Sequence, residues 1–266
     1  MATDAISNDS PQAVPLELQP DVEHLVTEDD TPVDNLFSEK QQRLLTEPLY
    51  SSWAGPGEQR SFVAMSNVGL FYTVHRPPLV PDALLSLDVE VPADLWPKNH
   101  RSYFVWEYGK TPDVVIEVVS NREGGEDSKK LAAYARVGVH YYVIFDPERL
   151  LGPEVLRAYR LEVPGYHKLD EPIWFSDVGL GLRPWQGRYE GHDNTWLRWV
   201  DAQGTPIPTG RERAESERQI AESERQTAES ERQIAESERQ RADAERQRAD
   251  QLAGQLRQLG VEPPKP

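Results

Sequence analysis

Short apolar runs divide residues 62–200 into strand-like pieces. The clearest are 79–89 (LVPDALLSLDV), 114–119 (VVIEVV) and 141–145 (YYVIF). Each is rich in strand-forming residues and bounded by Pro, Gly or Asp, the pattern of buried strands. Between the last two lie a polar, glycine-containing turn and a helix-like run that starts near Glu126. That run places Lys130 and Tyr134 four apart and stops at Gly138. Strand, turn, helix and strand within 110–147 is the size of a βαβ unit. Upstream, 62–65, 68–74 and 103–107 read as further strands. Residues 35–49 read as a helix marked by Leu36, Phe37, Leu44, Leu45 and Leu49, begun near Asp34 or Ser38 and ended by Pro48. After Asp146-Pro147 the runs 155–163, 166–169, 173–175, 180–189 and 195–200 predict an antiparallel, aromatic-rich extension.

The two ends differ from this core. Residues 1–33 are acidic, proline-containing and without periodicity, which predicts a solvated, disordered tail. From Arg211 the chain repeats every seven residues: AESERQI, AESERQT, AESERQI, AESERQR. Glu and Arg recur three or four apart, as in Glu215, Arg218 and Glu222, which supports a helix of roughly 70 Å at 1.5 Å per residue. Its seam is poor in apolar residues. Ile220, Thr227 and Ile234 give way to Arg241 and Arg248, and Ser223, Ser230 and Ser237 fill the partner positions. The expected division is a tail over 1–33, an α/β domain over 34–205, and a linker with a long charged helix over 206–266. That helix is a candidate for self-association or a partner helix through 211–259.

Charge follows the same division. Of the net −16, residues 1–39 contribute ten acids and no Lys or Arg, while 211–259 hold twelve acids against ten arginines. The core is therefore only mildly acidic. Residues 96–140 concentrate Lys98, Arg101, Lys110, Arg122, Lys129, Lys130 and Arg136, nearly matched by six acids. The absence of cysteine excludes disulfides, thiolate nucleophiles and Cys-ligated zinc, and suits a reducing cytoplasm. The first residues lack a basic and apolar leader pattern, and no window approaches eighteen apolar residues, so neither a signal peptide nor a membrane span is expected. The six histidines show no HxH or HExxH spacing.

Two acids interrupt the buried runs, Asp82 and Glu117. An isolated buried carboxylate is costly, and two of them invite a shared cation. Mg²⁺ takes one or two carboxylates and keeps several waters. Strand geometry narrows the choice. Asp113 and Glu117 share a face but lie about 13 Å apart at 3.3 Å per residue, too far for one ion. Asp113 then reads as a strand-start residue, Asp88 is the weaker choice within its own run, and Asp82, on another strand, becomes the partner of Glu117. Lys130 would set a positive charge beside a phosphate or position a water. The competing reading is that these acids sit at strand ends with ordinary partners.

The ordered set Pro81-Asp82, Ile116-Glu117-Val118, Ser120, Lys130, Tyr134, Gly138-Val139, Tyr141-Tyr142 and Asp146-Pro147 resembles the Uma2-type family of restriction-endonuclease-like proteins, in the PD-(D/E)xK nuclease superfamily. The resemblance is good over 81–147 and loose over 35–205. It implies an α/β fold with a mixed, restriction-endonuclease-like central sheet flanked by helices. It also implies a metal-dependent endonuclease acting on nucleic acid, DNA in the first place, with Mg²⁺ or Mn²⁺ on Asp82 and Glu117 and with Lys130 as the third catalytic residue. The chain departs from the usual ExK at Val119, so the resemblance implies that the lysine has moved to the following helix as Lys130. Lys129 is the neighbouring choice, but one helical step turns a side chain by about 100°. Glu39 on the first helix is a further candidate carboxylate. The alternative function is a catalytically silent scaffold that works through its C-terminal helix.

Overall fold

The central strands 83–87, 114–118 and 141–145 are buried at every position, because where both faces of a strand are covered, apolar residues run on without alternation. A computed structural model describes residues 13–25, 35–53, 55–57, 60–122 and 125–258. It divides into two units, 1–210 and 211–266. The chain runs α1 (Leu36–Ser51), β1 (Phe62–Met65), β2 (Leu70–Phe71), β3 (Ala83–Leu87), β4 (Tyr103–Phe104), α2 (Val105–Tyr108), β5 (Val114–Val118), α3 (Leu131–Val137) and β6 (Tyr141–Phe145). It continues through β7 (Leu156–Glu162), β8 (Gly165–Lys168), β9 (Ile173–Phe175), β10 (Leu180–Tyr189) and β11 (His192–Val200) to α4 (Gly210–Gln258).

A six-stranded sheet in the order β1-β3-β5-β6-β7-β8 forms the centre. Only β5 and β6 pair in parallel within it; the other neighbours are antiparallel. A parallel pair needs a crossover, and α3 with the turn before it supplies that crossover. The sheet is therefore mixed, as expected. β9, β10 and β11 form a separate antiparallel sheet, and β2 pairs in parallel with β4.

Each face of the main sheet carries its own core. On one face Leu85, Ile116 and Val143 pack with Leu45 and Leu49 of α1 and with Phe175, Leu182 and Trp199 of the small sheet. On the other, Leu84, Val115, Tyr142 and Ile144 pack with Tyr134 of α3 and with Tyr103 and Tyr108. By strand alternation Glu117 belongs to this second face with Val115, and Asp82 with Leu84.

Helix α1 is fixed by hydrogen bonds as well as by packing. The Asn35 side chain caps it by accepting from the Ser38 backbone N–H at 3.0 Å, which sets the start between the expected Asp34 and Ser38. Asp34 lies outside the described residues. The buried Gln41 amide pairs with both backbone groups of Leu197 on β11, donating to its carbonyl at 2.9 Å and accepting from its N–H at 2.8 Å. The Trp199 indole N–H donates to the Leu45 carbonyl at 2.8 Å. Pro48 does not end the helix, which runs on to Ser51. The N–H groups of Ser52 and Trp53 close its last turn on the Pro48 carbonyl.

Three further differences have local causes. Residues 103–107 form not one strand but β4 followed by the single helical turn α2, closed by Gly109 at φ +72°. This stacks Tyr108 on Tyr103 with ring centres 4.4 Å apart. The 68–74 strand shortens to the two residues of β2. The solvated-tail expectation fails for 13–25. There the Val14 N–H donates to the Trp106 carbonyl at 2.9 Å, and Val22, only 8% exposed, packs with Phe71 and Phe104. Val22 and Leu25 supply the apolar anchors that the acidic composition obscured. The remainder of that tail, 1–12 and 26–33, lies outside the described residues.

The first unit reaches Gly210, and within it the Ile207 N–H bonds to the Trp199 carbonyl and Val200 bridges to Pro206. The second unit is carried by α4, exposed over 211–252. Among the described residues no helix is long and apolar enough to cross a membrane.

Gln41→Ala would leave the Leu197 N–H and carbonyl buried and unpaired. The expected loss is about 2–4 kcal/mol of unfolding free energy, read as a lower urea midpoint at unchanged slope.

Candidate functional site

Strand register brings the two acids together. β3 and β5 run antiparallel with Ala83 opposite Ile116, so one step further along the ladder Asp82 stands opposite Glu117. Facing residues on such neighbours have Cβ atoms about 5 Å apart. Asp82 lies just before β3, and its peptide is held by the Asn67 N–H, which reaches the carbonyls of Pro81 and Asp82. One carboxylate oxygen of Asp82 accepts from the Val118 backbone N–H and the other from the Gln42 side-chain amide, each at 2.7 Å. Asp82 is 7% exposed.

Glu117 is 1% exposed and takes both its donors from the crossover. Its Oε2 accepts from Lys130 Nζ at 2.8 Å and its Oε1 from the Tyr134 hydroxyl at 2.7 Å. A spacing of four puts Lys130 and Tyr134 on one helical face. The helix is entered through a π-helical turn over Glu126–Lys130, preceded by Gly125 at φ +69°. Such a left-handed conformation suits glycine, which has no Cβ to clash. The turn also brings Glu126, 6% exposed, to within 3.3 Å of Lys130 Nζ through Oε1. Its Oε2 is buried with no hydrogen-bond partner, and its carbonyl accepts from the Tyr142 hydroxyl at 2.8 Å.

The electrostatics follow from this enclosure. Burial, with a smaller contribution from the Asp82 charge, pushes the Glu117 carboxyl up from 4.5 to about 7, although Lys130 and Tyr134 act against the rise. Burial alone would lower the Lys130 ammonium. Glu117, then Glu126 and Asp82, outweigh it and hold the ammonium above its usual value. Burial, then the Glu117 charge, raises the Tyr134 phenol well above 10. Near neutrality the cluster sheds negative charge by protonating Glu117, while Lys130 keeps its proton.

The other sequence candidates lie elsewhere or act structurally. Lys129 is exposed. Asp113, at the far end of β5, accepts from the Leu87 N–H and from Lys110 Nζ, each at 2.7 Å. Asp88 pairs with Arg60. Glu39 does not join the acids: it is exposed and ion-paired with Arg43, and the α1 side chain that reaches Asp82 is Gln42, three residues on. Val119 packs into the core on the Glu117 side of β5, so no side-chain cation comes from the strand there. Asp146 is buried and accepts from the N–H groups of Leu150 and Leu151, which makes the Asp-Pro pair a turn device. Sequence reasoning passed over Gln42, Glu126 and the role of Tyr134. The spacing Glu126, Lys130, Tyr134 was a readable signal for two of them.

The residues present suit a divalent cation in charge and donor type. Three buried carboxylates share one ammonium, which leaves excess negative charge. Each oxygen of Asp82 and Glu117 has a donor, but a carboxylate oxygen has a second acceptor position. Among the described residues no three acids or histidines stand grouped as ligands, so Asp82 and Glu117 are the pair that would hold such an ion. One or two carboxylates with waters is the habit of Mg²⁺.

A mixed sheet with one parallel pair, crossed by a helix and flanked on both faces, defines a restriction-endonuclease-like α/β protein. The family model Uma2, described as "Putative restriction endonuclease", matches residues 28–170, and the chain belongs to that family. No curated protein matches the chain. The family description gives nuclease function in general.

The raised Glu117 value carries a sign for stability. The folded carboxyl holds its proton to about pH 7 and the unfolded one only to about 4.5, so folding stability falls as pH rises between those values. The span is worth on the order of 3 kcal/mol. In chelator, Glu117→Gln should gain on the parent protein by roughly that amount between pH 4.5 and 8, as measured by denaturant unfolding.

Proposed function

We propose that the domain hydrolyses phosphodiester bonds of nucleic acid, DNA in the first place, with Mg²⁺ or Mn²⁺ held by Asp82 and Glu117. The observation that carries this reading is the salt bridge at 2.8 Å between Lys130 Nζ and Glu117, opposite Asp82, in a chain of a restriction-endonuclease family. The bound ion would polarise the phosphodiester and generate a nucleophile from water.

The protein's own residues prepare the site. Gln42 and the Val118 N–H fix the Asp82 carboxylate, and Tyr134 fixes Glu117. Glu117 must release its proton to act as a ligand, which couples metal uptake to pH. Lys130, kept charged by its acidic neighbours and one-third exposed at its side chain, offers its ammonium to the negative charge that develops on the phosphate. Glu126 holds the other side of that ammonium. The absence of cysteine suits work in a reducing cytoplasm.

One observation favours a second reading. Both acids are nearly sealed and already satisfied by protein donors, as in a silent nuclease-fold scaffold that works through α4. The two readings separate on activity. Purified protein with Mg²⁺ or Mn²⁺ should nick plasmid DNA. Lys130→Met and Asp82→Asn should each lower the rate by about 10²-fold or more, with an unchanged circular-dichroism spectrum. A parent protein that cuts neither DNA nor RNA under these conditions leaves the scaffold.

A further inference from the structure

The α4 repeat carries two side-chain patterns, and the second decides what the first can meet. Ile220, Thr227 and Ile234 recur every seven residues, with Ser223, Ser230 and Ser237 three beyond each. If these are positions a and d of a heptad, position e is Glu217, Glu224, Glu231, Glu238 and Glu245, and position g is Gln in every repeat from Gln219 to Gln247. Ile220 and Ile234 are 58% and 59% exposed, and the helix is exposed across this whole stretch.

We propose that α4 pairs in parallel and in register with α4 of a second copy of this chain, along Ile220, Thr227 and Ile234. The e and g residues set the orientation. In a parallel pair each g residue lies against the e residue five positions on in the partner helix, which here sets a neutral Gln amide beside Glu224, Glu231, Glu238 and Glu245, while Glu217 meets Glu212. In an antiparallel pair e lies against e, and each such contact would oppose two carboxylates. A second copy suits the pattern because both halves of the Gln–Glu pairing recur on one chain, as a two-fold interface requires.

Arg241 and Arg248 bound the paired region. They occupy a, where a parallel partner would present the same arginine, so pairing is confined to residues 217–237. Serine at d makes it weak and concentration-dependent, and the pairing is independent of nuclease activity.

The chain has no cysteine, so single cysteines report the geometry in the full-length protein. Ile220→Cys and Ile234→Cys should each form disulfide-linked dimers about tenfold or more faster than the outward-facing control Arg225→Cys. Mixing the two variants should give homodisulfides in excess over a 220–234 heterodisulfide. Ser223→Leu with Ser230→Leu, which places leucine at d, should convert the chain to a dimer by sedimentation velocity. Crosslinking no faster than the Arg225→Cys control, a predominant 220–234 crosslink, or a leucine variant that stays monomeric would each overturn the proposal.

Discussion

A carboxylate inside a buried strand is the constraint to which the rest of the domain answers. Glu117 sits mid-run in β5, in a sheet covered on both faces, where an unpaired charge would cost several kcal/mol. The crossover meets part of that cost. The crossover brings Lys130 and Tyr134 down onto it, and β3 brings Asp82 alongside. The compensation is incomplete: burial, with a smaller contribution from the Asp82 charge, still raises the Glu117 carboxyl to about 7. A fold selected for stability alone would place an apolar residue there, since replacing a buried charged group by a well-packed apolar one is often neutral or stabilising. An acid held under those conditions supports the metal-binding role proposed for it.

The position of Asp82 depends on contacts distant in sequence. Its carboxylate is aimed by Gln42 of α1, and the rotation of α1 is set one residue earlier by Gln41 on Leu197 and further along by Trp199 on Leu45. The antiparallel extension is therefore not an ornament on the nuclease-like sheet. Its last strand orients the helix that orients the acid, so damage at β11 reaches the site without touching it. This is the arrangement in which supporting residues outside the site decide how sharply the site is defined.

Much of the local structure was legible because it depends on neighbours in sequence. The β5–α3–β6 unit declared itself through two apolar runs, a helical spacing and Gly138, which adopts φ +92° at the end of α3. The hairpins beyond Asp146 followed from the same patterning, whereas the mixed sheet was implied by the family resemblance. What stayed hidden was non-local or conformational. No pattern told that Ala83 would face Ile116, or that Gln42 rather than Glu39 would look inward. Composition argued for a solvated segment at 13–25, while two apolar side chains sufficed to dock part of it. Pro48 reads as a helix end, yet the tertiary contacts of Leu49 and Tyr50 carry the helix past it. The Glu126 backbone could not be anticipated either, since a π-helical turn has no sequence signature of its own.

In the proposed site the lysine comes from a different element than the strand that carries Glu117. A lysine at 119 would stand on the same strand face as Glu117, two residues on and joined to it by rigid backbone. Val119 instead fills the core, and Lys130 arrives from the crossover, where its placement depends on helical phase. Phase is delicate: Lys129, one step away, points to solvent. The π-helical turn is the element that sets it, because a wider turn changes the rotation at which α3 begins. Gly125 allows the turn to start, and the Tyr142 hydroxyl, hydrogen-bonded to the Glu126 carbonyl, ties its first residue to the sheet. Tyr134 then makes the phase self-consistent, since a helix rotated enough to lose Lys130 would also withdraw the phenol from Glu117. The two donors thus stand or fall together, and moving the cation off the strand turns the whole βαβ crossover into part of the site.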